Sequence, residues 1–285
     1  MKLEGLAGMW VDKVLFMSTD PSNTRYADSI VEHYDRDYGI LRPSGLDVDF
    51  YTDLALHAGG PAMEIGCGTG RVCLPIARAG CTVTGVDPTA GMLDLFRHKL
   101  ALESADLAER VTLREGCFSS VPGEGSFALV FSAFRAFQHL VTREAQIAAL
   151  AEMARWTAPG GLVAFDVFDY DVVRAAEYVD EHADYVLELG EQLRERRSKA
   201  TFNSQQRLIH CRFRWLLNGA PDGEATFSMK VSTRDELVDL LPLAGLELIA
   251  VFGSFDGTPW TAERRGEIVI VARRPNSPRP SADAP

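Results

Sequence analysis

Residues 62–88, AMEIGCGTGRVCLPIARAGCTVTGVDP, decide how the rest of the chain is read. The stretch opens with a short apolar run, Ala62 to Ile65, interrupted only by Glu64. It then breaks into Gly66, Gly68 and Gly70 before an amphipathic segment begins at Arg71. That order is strand, glycine turn and helix. A second apolar, β-branched run, Cys81 to Val86, follows the helix-ending Gly80 and stops at Asp87. The unit is βαβ, and its crossover makes the strands parallel and brings both following loops to one sheet edge.

The chemistry of that edge follows from the residue types. Glycine has no Cβ, so the backbone can turn sharply and a ligand can lie against it, with the N–H groups of the helix start pointing outward. Asp87, at the end of the second strand, accepts hydrogen bonds when ionised and suits a pair of ribose hydroxyls. A nucleoside-containing cofactor is implied. The dinucleotide fingerprint places its third glycine three positions after the second, whereas Gly68 here is followed by Gly70. Glu64, just before the turn, also disfavours a pyrophosphate and favours a cationic ligand.

The run EIGCGTGR, followed by GVDP, resembles motif I and the acidic strand end of class I S-adenosylmethionine-dependent methyltransferases. The resemblance implies that S-adenosyl-L-methionine is the cofactor and S-adenosyl-L-homocysteine the product. It maps Gly66, Gly68 and Gly70 to the loop against the methionine part, with Arg71 beside it, and Asp87, followed by Pro88, to the ribose acceptor. Glu64 is then expected to orient the ammonium, directly or through water. Met92 corresponds to a family position beside the adenosine, with a core methionine as the alternative. The family commonly carries an acid after the third strand that pairs with the adenine amino group; here Cys117 holds that place, in Glu115-Gly116-Cys117-Phe118. Backbone groups of Cys117 and Phe118, with the Phe118 ring against the base, are expected to serve instead.

The 285 residues suffice for one large α/β domain or a core with an added subdomain. A net charge of −11 leaves no cationic excess for phosphate backbones or anionic membranes, so neither nucleic acid nor membrane is expected as partner and a small-molecule acceptor is. Five scattered cysteines without C-x-x-C spacing indicate reduced thiols in a cytoplasmic protein and signal neither zinc nor disulfides. The N-terminal run MKLEGLAGMWVDKVLFMSTD is broken by Glu4, Asp12 and Lys13, too early for a signal peptide or spanning helix.

Residues 1–58 read as a helical lid region. Tyr26, Ile30, Tyr34 and Tyr38 recur at helical spacing between Asn23 and Tyr38, and Asp47 to Ala58 forms a second helix carrying Tyr51. In the family this segment often folds over the cofactor, which makes Tyr26, Tyr34, Tyr38 and Tyr51 candidate site contacts, with packing of the aromatics as the alternative.

Beyond Asp87, one or two helices span Thr89 to Leu107, and strands follow at Arg110 to Glu115 and Ser126 to Phe131. The loop SAFRAFQHL, residues 132–140, leaves the fourth strand at the ligand-binding edge and brings Ala133, Gln138 and His139 there. Thr142 to Trp156 is a helix with Thr142 as its cap. Pro159, Gly160 and Gly161 end it before the buried strand Leu162 to Phe168, which contains Asp166 and delivers Asp169 and Tyr170. A-P-G-G before that strand extends the resemblance over most of residues 60–168.

From Tyr185 to Thr233 the pattern alternates, with Ile209, Cys211, Phe213, Trp215 and Leu217 on one run and Phe227, Met229 and Val231 on the next, forming an antiparallel hairpin. Arg212 and Arg214 face either an anionic substrate group or solvent. A helix, Thr233 to Leu243, and strands Leu246 to Phe252 and Glu267 to Ala272 complete the core, and residues 275–285 form a disordered tail.

The expected fold is α/β, a doubly wound, seven-stranded, mostly parallel sheet in residues 59–180 and 233–274, with an antiparallel β-rich cap or dimer insertion at 181–232. The expected reaction is methyl transfer to N or O of a small molecule, such as a specialised metabolite, with no metal. His139 and Tyr34 are the catalytic candidates, because an unperturbed histidine pKa of about 6.5 lets it take a proton near neutrality. Two rivals stay open: a protein that binds the cofactor without methylating, and a nicotinamide-dependent oxidoreductase. A homodimer through the insertion is a further alternative to a simple cap.

Overall fold

The computed structural model describes residues 28–41, 45–121, 126–170, 180–263 and 266–276; Tyr26 and most of the tail lie outside them. Strand β1 (Ala62–Ile65) is buried on both faces, as its near-continuous apolar run requires. It pairs in parallel with β2 (Val83–Asp87) on one side and β4 (Phe127–Ser132) on the other. Adding β3 (Val111–Glu115), β5 (Thr157–Phe168), β10 (Glu247–Phe252) and β11 (Glu267–Arg273) gives seven strands in the order β10-β11-β5-β4-β1-β2-β3. Strand β11 runs antiparallel to both neighbours. The chain order reverses between β1 and β4, which is where open α/β sheets leave a crevice at their carboxyl ends.

Helices cover both faces. On one, Met63 and Ile65 of β1 share a core with Leu150, Met153 and Trp156 of α6 (Arg143–Trp156) and with Leu237 of α7 (Arg234–Val238). On the other, Tyr51 of α2 (Leu46–Ala58), Ile76 of α3 (Cys73–Arg78), Leu93 and Phe96 of α4 (Ala90–Leu100) and Leu107 of α5 (Ala105–Ala108) pack together. The ends of these helices follow local chemistry. Thr142 accepts from the Ala145 N–H at 3.2 Å, and Thr233 and Glu236 form a reciprocal capping box. Strand β5 begins at Thr157, so the P-G-G sequence is part of its irregular start rather than of a loop.

The insertion holds four strands, not one hairpin: β6 (His182–Leu189), β7 (Gln192–Asn203), β8 (Leu208–Leu217) and β9 (Ala220–Lys230), antiparallel in chain order. Strand β7 carries Arg194, Glu195, Arg196 and Arg197 on both faces, which erases the alternation that would have announced it. Helix α1 (Asp28–Leu41) lies between this cap sheet and the core. Its Asp37, 2% exposed, accepts from Tyr185 Oη at 2.6 Å, from Trp215 Nε1 at 2.8 Å and from Arg196 at 3.4 Å. Toward the core, Asp35 accepts from Thr69 Oγ1 at 2.6 Å and from Lys99 Nζ at 2.7 Å. Ile30, Met92, Ile209, Trp215 and Phe227 fill the space between α1, α4 and the cap. Among the described residues no helix is long and apolar enough to cross a membrane.

Candidate active site

The glycine turn is held at the end of β2, where Gly66 N and Cys67 N both donate to Val86 O, at 2.7 and 3.0 Å. Gly66, Gly68 and Gly70 have φ of 84°, 53° and 83°, in the left-handed region that glycine enters without steric cost. Space is short as well. A Cβ on Gly66 would lie 2.8 Å from the Ala136 methyl, and one on Gly70 would lie 2.3 Å from the Phe96 ring. Asp87 accepts from Gly68 N and Thr89 N, both at 2.8 Å. Each oxygen of a carboxylate has a further lone-pair direction to offer a ligand hydroxyl. Burial pushes Asp87 up to about 6, against the pull of the Thr89 and Gly68 N–H groups.

Around this turn lies a cavity of about 60 Å³. Gly66, Gly68, Asp87 and Pro88 form one wall, Cys117 and Phe118 a second, and Ala133, Phe134, Ala136, His139 and Leu140 a third, with Tyr34 reaching in from α1. No Lys or Arg is among the described residues that line it. A wider hollow of about 530 Å³ between α2 and the β10–β11 edge includes neither the β1–α3 glycine turn nor Asp87. His139 is half-buried, with its ring 5.3 Å from that of Phe227. Enclosure pushes it down to about 4, against a hydrogen bond with the Ser228 backbone, so the imidazole is neutral at neutral pH. The Tyr34 ring lies 4.6 Å from Tyr38, which meets Phe134 edge-on at 4.7 Å.

Nine of the residues singled out in the sequence therefore share one cavity: Tyr34, Gly66, Gly68, Asp87, Pro88, Cys117, Phe118, Ala133 and His139. Others do not reach it. Glu64 lies beneath the turn, 3% exposed, accepting from Cys73 Sγ at 2.9 Å, and burial pushes its carboxyl up to about 8. A fixed negative charge to orient an ammonium is thus not its resting state at pH 7. Gly70 faces Phe96 and closes the turn onto α4. Arg71 pairs with both Asp47 oxygens, at 3.1 and 2.5 Å, and stacks 4.5 Å above Phe134. Met92 is fully buried against α1 and the cap, the core alternative rather than an adenosine contact.

Tyr51 is not a lid residue. It is fully buried, stacked at 4.9 Å on Phe131, and its hydroxyl donates to Asp166 at 2.7 Å. Gln138 is a tie between core and cap, donating to Lys230 O at 3.1 Å and accepting from Phe168 N at 2.9 Å. The Cys117 N–H and C=O close a turn with Ser120, at 3.4 and 3.1 Å, which engages the Cys117 backbone, while Phe118 lines the cavity. Asp169 accepts from Trp260 Nε1 at 3.2 Å, and Tyr170 packs against Phe202 at 5.2 Å. Arg212 and Arg214 pair with Glu224 and Glu181, at 2.9 and 3.0 Å, on partly exposed ground. The residues missed in the sequence are Ile65, Thr89, Phe134, Ala136 and Leu140. Three of them stand in the loop already placed at the strand edge, and the aromatic Phe134 immediately after β4 was the available signal.

A parallel sheet with a left-handed glycine turn and a strand-end carboxylate at its switch point is the arrangement of a nucleoside-binding site. A methyltransferase-domain family model matches residues 62–161. The cypemycin N-terminal methyltransferase of a Streptomyces species is 28% identical over 90% of this chain and 100% of its own length. The CcbJ methyltransferase of Streptomyces caelestis superposes with a TM-score of 0.72 at 25% identity, covering 86% of this chain and 96% of that one. An S-adenosylmethionine-dependent methyltransferase of Clostridium acetobutylicum shares the fold, with a TM-score of 0.69 at 12% identity over 87% and 98% of the two chains. The chain is a class I S-adenosylmethionine-dependent methyltransferase.

Proposed function

We propose that the enzyme methylates an amine, with a hydroxyl as the second choice, on a small molecule or at the amino end of a peptide of specialised metabolism. The observation that carries this reading is the cavity itself. The glycine turn, Asp87, the neutral His139 and aromatic Tyr34, Phe118 and Phe134 meet in one space without a basic side chain among the described residues. Such a lining suits a sulfonium beside a neutral amine, because aromatic rings attract cations and the Arg71 charge stacked on Phe134 is paired with Asp47. The relative that methylates a peptide N-terminus, matched along its whole length, supports the same acceptor chemistry.

In this reading Gly66 and Gly68 offer backbone to the amino acid end, Asp87 accepts from the ribose hydroxyls, and Pro88, Cys117, Phe118, Ala133 and Leu140 enclose the base. Bound there, S-adenosylmethionine supplies an electrophilic methyl on a sulfonium. What the chain adds is alignment, worth several kcal/mol of barrier, and handling of one proton. Neutral His139 can accept a hydrogen bond from an acceptor N–H or O–H and so aim its lone pair. With a pKa of about 4 it is a weak base, which suffices for an amine that arrives neutral and serves a hydroxyl poorly. Tyr34 closes the cavity from α1. Glu64 acts from below the turn, its ionisation favoured once a cation arrives. The strands β6 to β9 then form the lid of the acceptor side, and pairing of two copies through that sheet is the finer alternative, tested by light scattering.

The test is transfer of a labelled methyl to a panel of primary and secondary amines, aminosugars, short peptides and matched alcohols, with His139→Gln alongside. Turnover on amines, with the variant losing about 10- to 100-fold in kcat, supports the reading. Transfer confined to alcohols contradicts the preference for nitrogen, and transfer unaffected by the substitution removes His139 from it.

A further inference from the structure

The loop that carries His139 contains two consecutive left-handed residues that are not glycine. Phe134 has φ 56° and Arg135 has φ 64°, a conformation bulky side chains rarely adopt. Such geometry persists only where surrounding structure over-determines it, and the surroundings name the cause. Asp166, near the end of β5 and 1% exposed, accepts from Phe134 N and from Arg135 N, both at 2.9 Å. Its Oδ1 also accepts from Tyr51 Oη at 2.7 Å. A carboxylate buried in a parallel strand is costly unless its acceptor sites are filled, and three donors fill them here.

The segment beyond the turn has no slack. Ala136 abuts Gly66, where even one added carbon would collide at 2.8 Å. Gln138 is bonded to backbone of β5 and β9. His139 lies against Phe227. Arg135 is tied outward to Glu267 and stacked 4.7 Å over Phe168. The direction in which Phe134, Ala136 and His139 enter the cavity is thus set at the 134–135 turn, and the turn is set by Asp166.

We propose that Asp166, held by Tyr51, is a positioning residue for methyl transfer. It does not line the cavity, and it fixes the left-handed turn from which the acceptor-facing wall projects. The inference rests on the reading of residues 133–140 as that wall, and the test separates the two. In Asp166→Asn one carboxylate oxygen becomes an NH₂ group that cannot accept from a backbone N–H, whereas Tyr51→Phe removes the support and leaves both turn bonds.

Amide hydrogen exchange at residues 134–136, calorimetric binding of S-adenosylhomocysteine, and kcat and KM for the acceptor are measured on both variants. Expected for Asp166→Asn is exchange faster by about tenfold or more at those amides. Product affinity stays within about threefold, and kcat falls by about 10- to 100-fold with a smaller change in KM. Tyr51→Phe moves the same quantities less, and carries the test if the asparagine variant does not fold. Unchanged exchange at Phe134 and Arg135 overturns the assignment even in an enzyme that methylates normally. Faster exchange with unaltered kcat overturns the positioning role. Absence of transfer by the wild type to every acceptor removes the wall reading, and the exchange result still decides what holds the turn.

Discussion

The cofactor wall of the cavity and its acceptor wall are made differently. The first is backbone: glycines at positive φ, N–H groups spent on Val86 and Asp87, and a carboxylate at the end of a strand buried on both faces. The second is assembled from side chains on α1, the loop after β4 and strand β9, held together by bonds between residues distant in the chain. A local backbone site can be kept in a short stretch of sequence, while a site made by packing is free to change with its acceptor.

The largest expected effect comes from breaking the acceptor side at its clasp. Asp37→Ala removes one of the two acidic partners of the buried Arg196, leaving Asp184, and takes away the acceptor of Tyr185 and Trp215. Loss of one partner of a buried ion pair costs about 3–5 kcal/mol. Urea unfolding should show that loss, with hydrogen exchange rising in α1 and the cap strands and little change in β1, β2 and β4. Uniform acceleration through the core sheet would mean that cap and core are one cooperative unit.

A smaller effect sharpens the cofactor side. Ribose hydroxyls donate to the ionised form of Asp87, whose pKa is raised to about 6, so affinity is full above that pH and lost as pH falls below it, by about tenfold per unit. Over the same window His139, near 4, stays uncharged, and any ionisation of Glu64, near 8, on binding of the cation is separated from the trend by repeating the titration with Glu64→Gln. Calorimetry of S-adenosylhomocysteine between acidic and neutral pH reads it directly. A flat profile would detach Asp87 from the ligand.

The smallest effect is expected on the outer face of the cap. Arg212→Ala breaks an exposed pair with Glu224, and such pairs contribute at most about 1 kcal/mol. Stability and acceptor KM should barely move. A large rise in KM would restore the anionic-substrate reading that the structure replaces with an ion pair.

The difference between the walls also governs what could be read from the chain. The βαβ unit and its glycine turn were legible because each constraint is local: apolar run, glycines, β-branched run, acid. The seven-stranded, mostly parallel sheet followed from the family resemblance rather than from contacts. Tyr51 was misread, since a tyrosine on an acidic helix resembles a lid contact until its partner is known, and that partner, Asp166, is 115 positions away. Met92 and Arg71 were misplaced for the same reason; what buries or binds them lies on other elements. Strands β6 and β7 were obscured because Arg196 points inward to Asp37 and over the Phe213 ring at 3.9 Å, so charge no longer marked the solvent face.

The most direct test of the account is titration calorimetry of the folded protein with S-adenosylmethionine and S-adenosylhomocysteine, repeated with Asp87→Ala. The account predicts saturable binding of both at one site, weakened by about 1–3 kcal/mol in the variant, the scale for lost hydrogen bonds to a charged group. Absence of binding, or equal affinity in the variant, would contradict the placement of the cofactor at the glycine turn and Asp87.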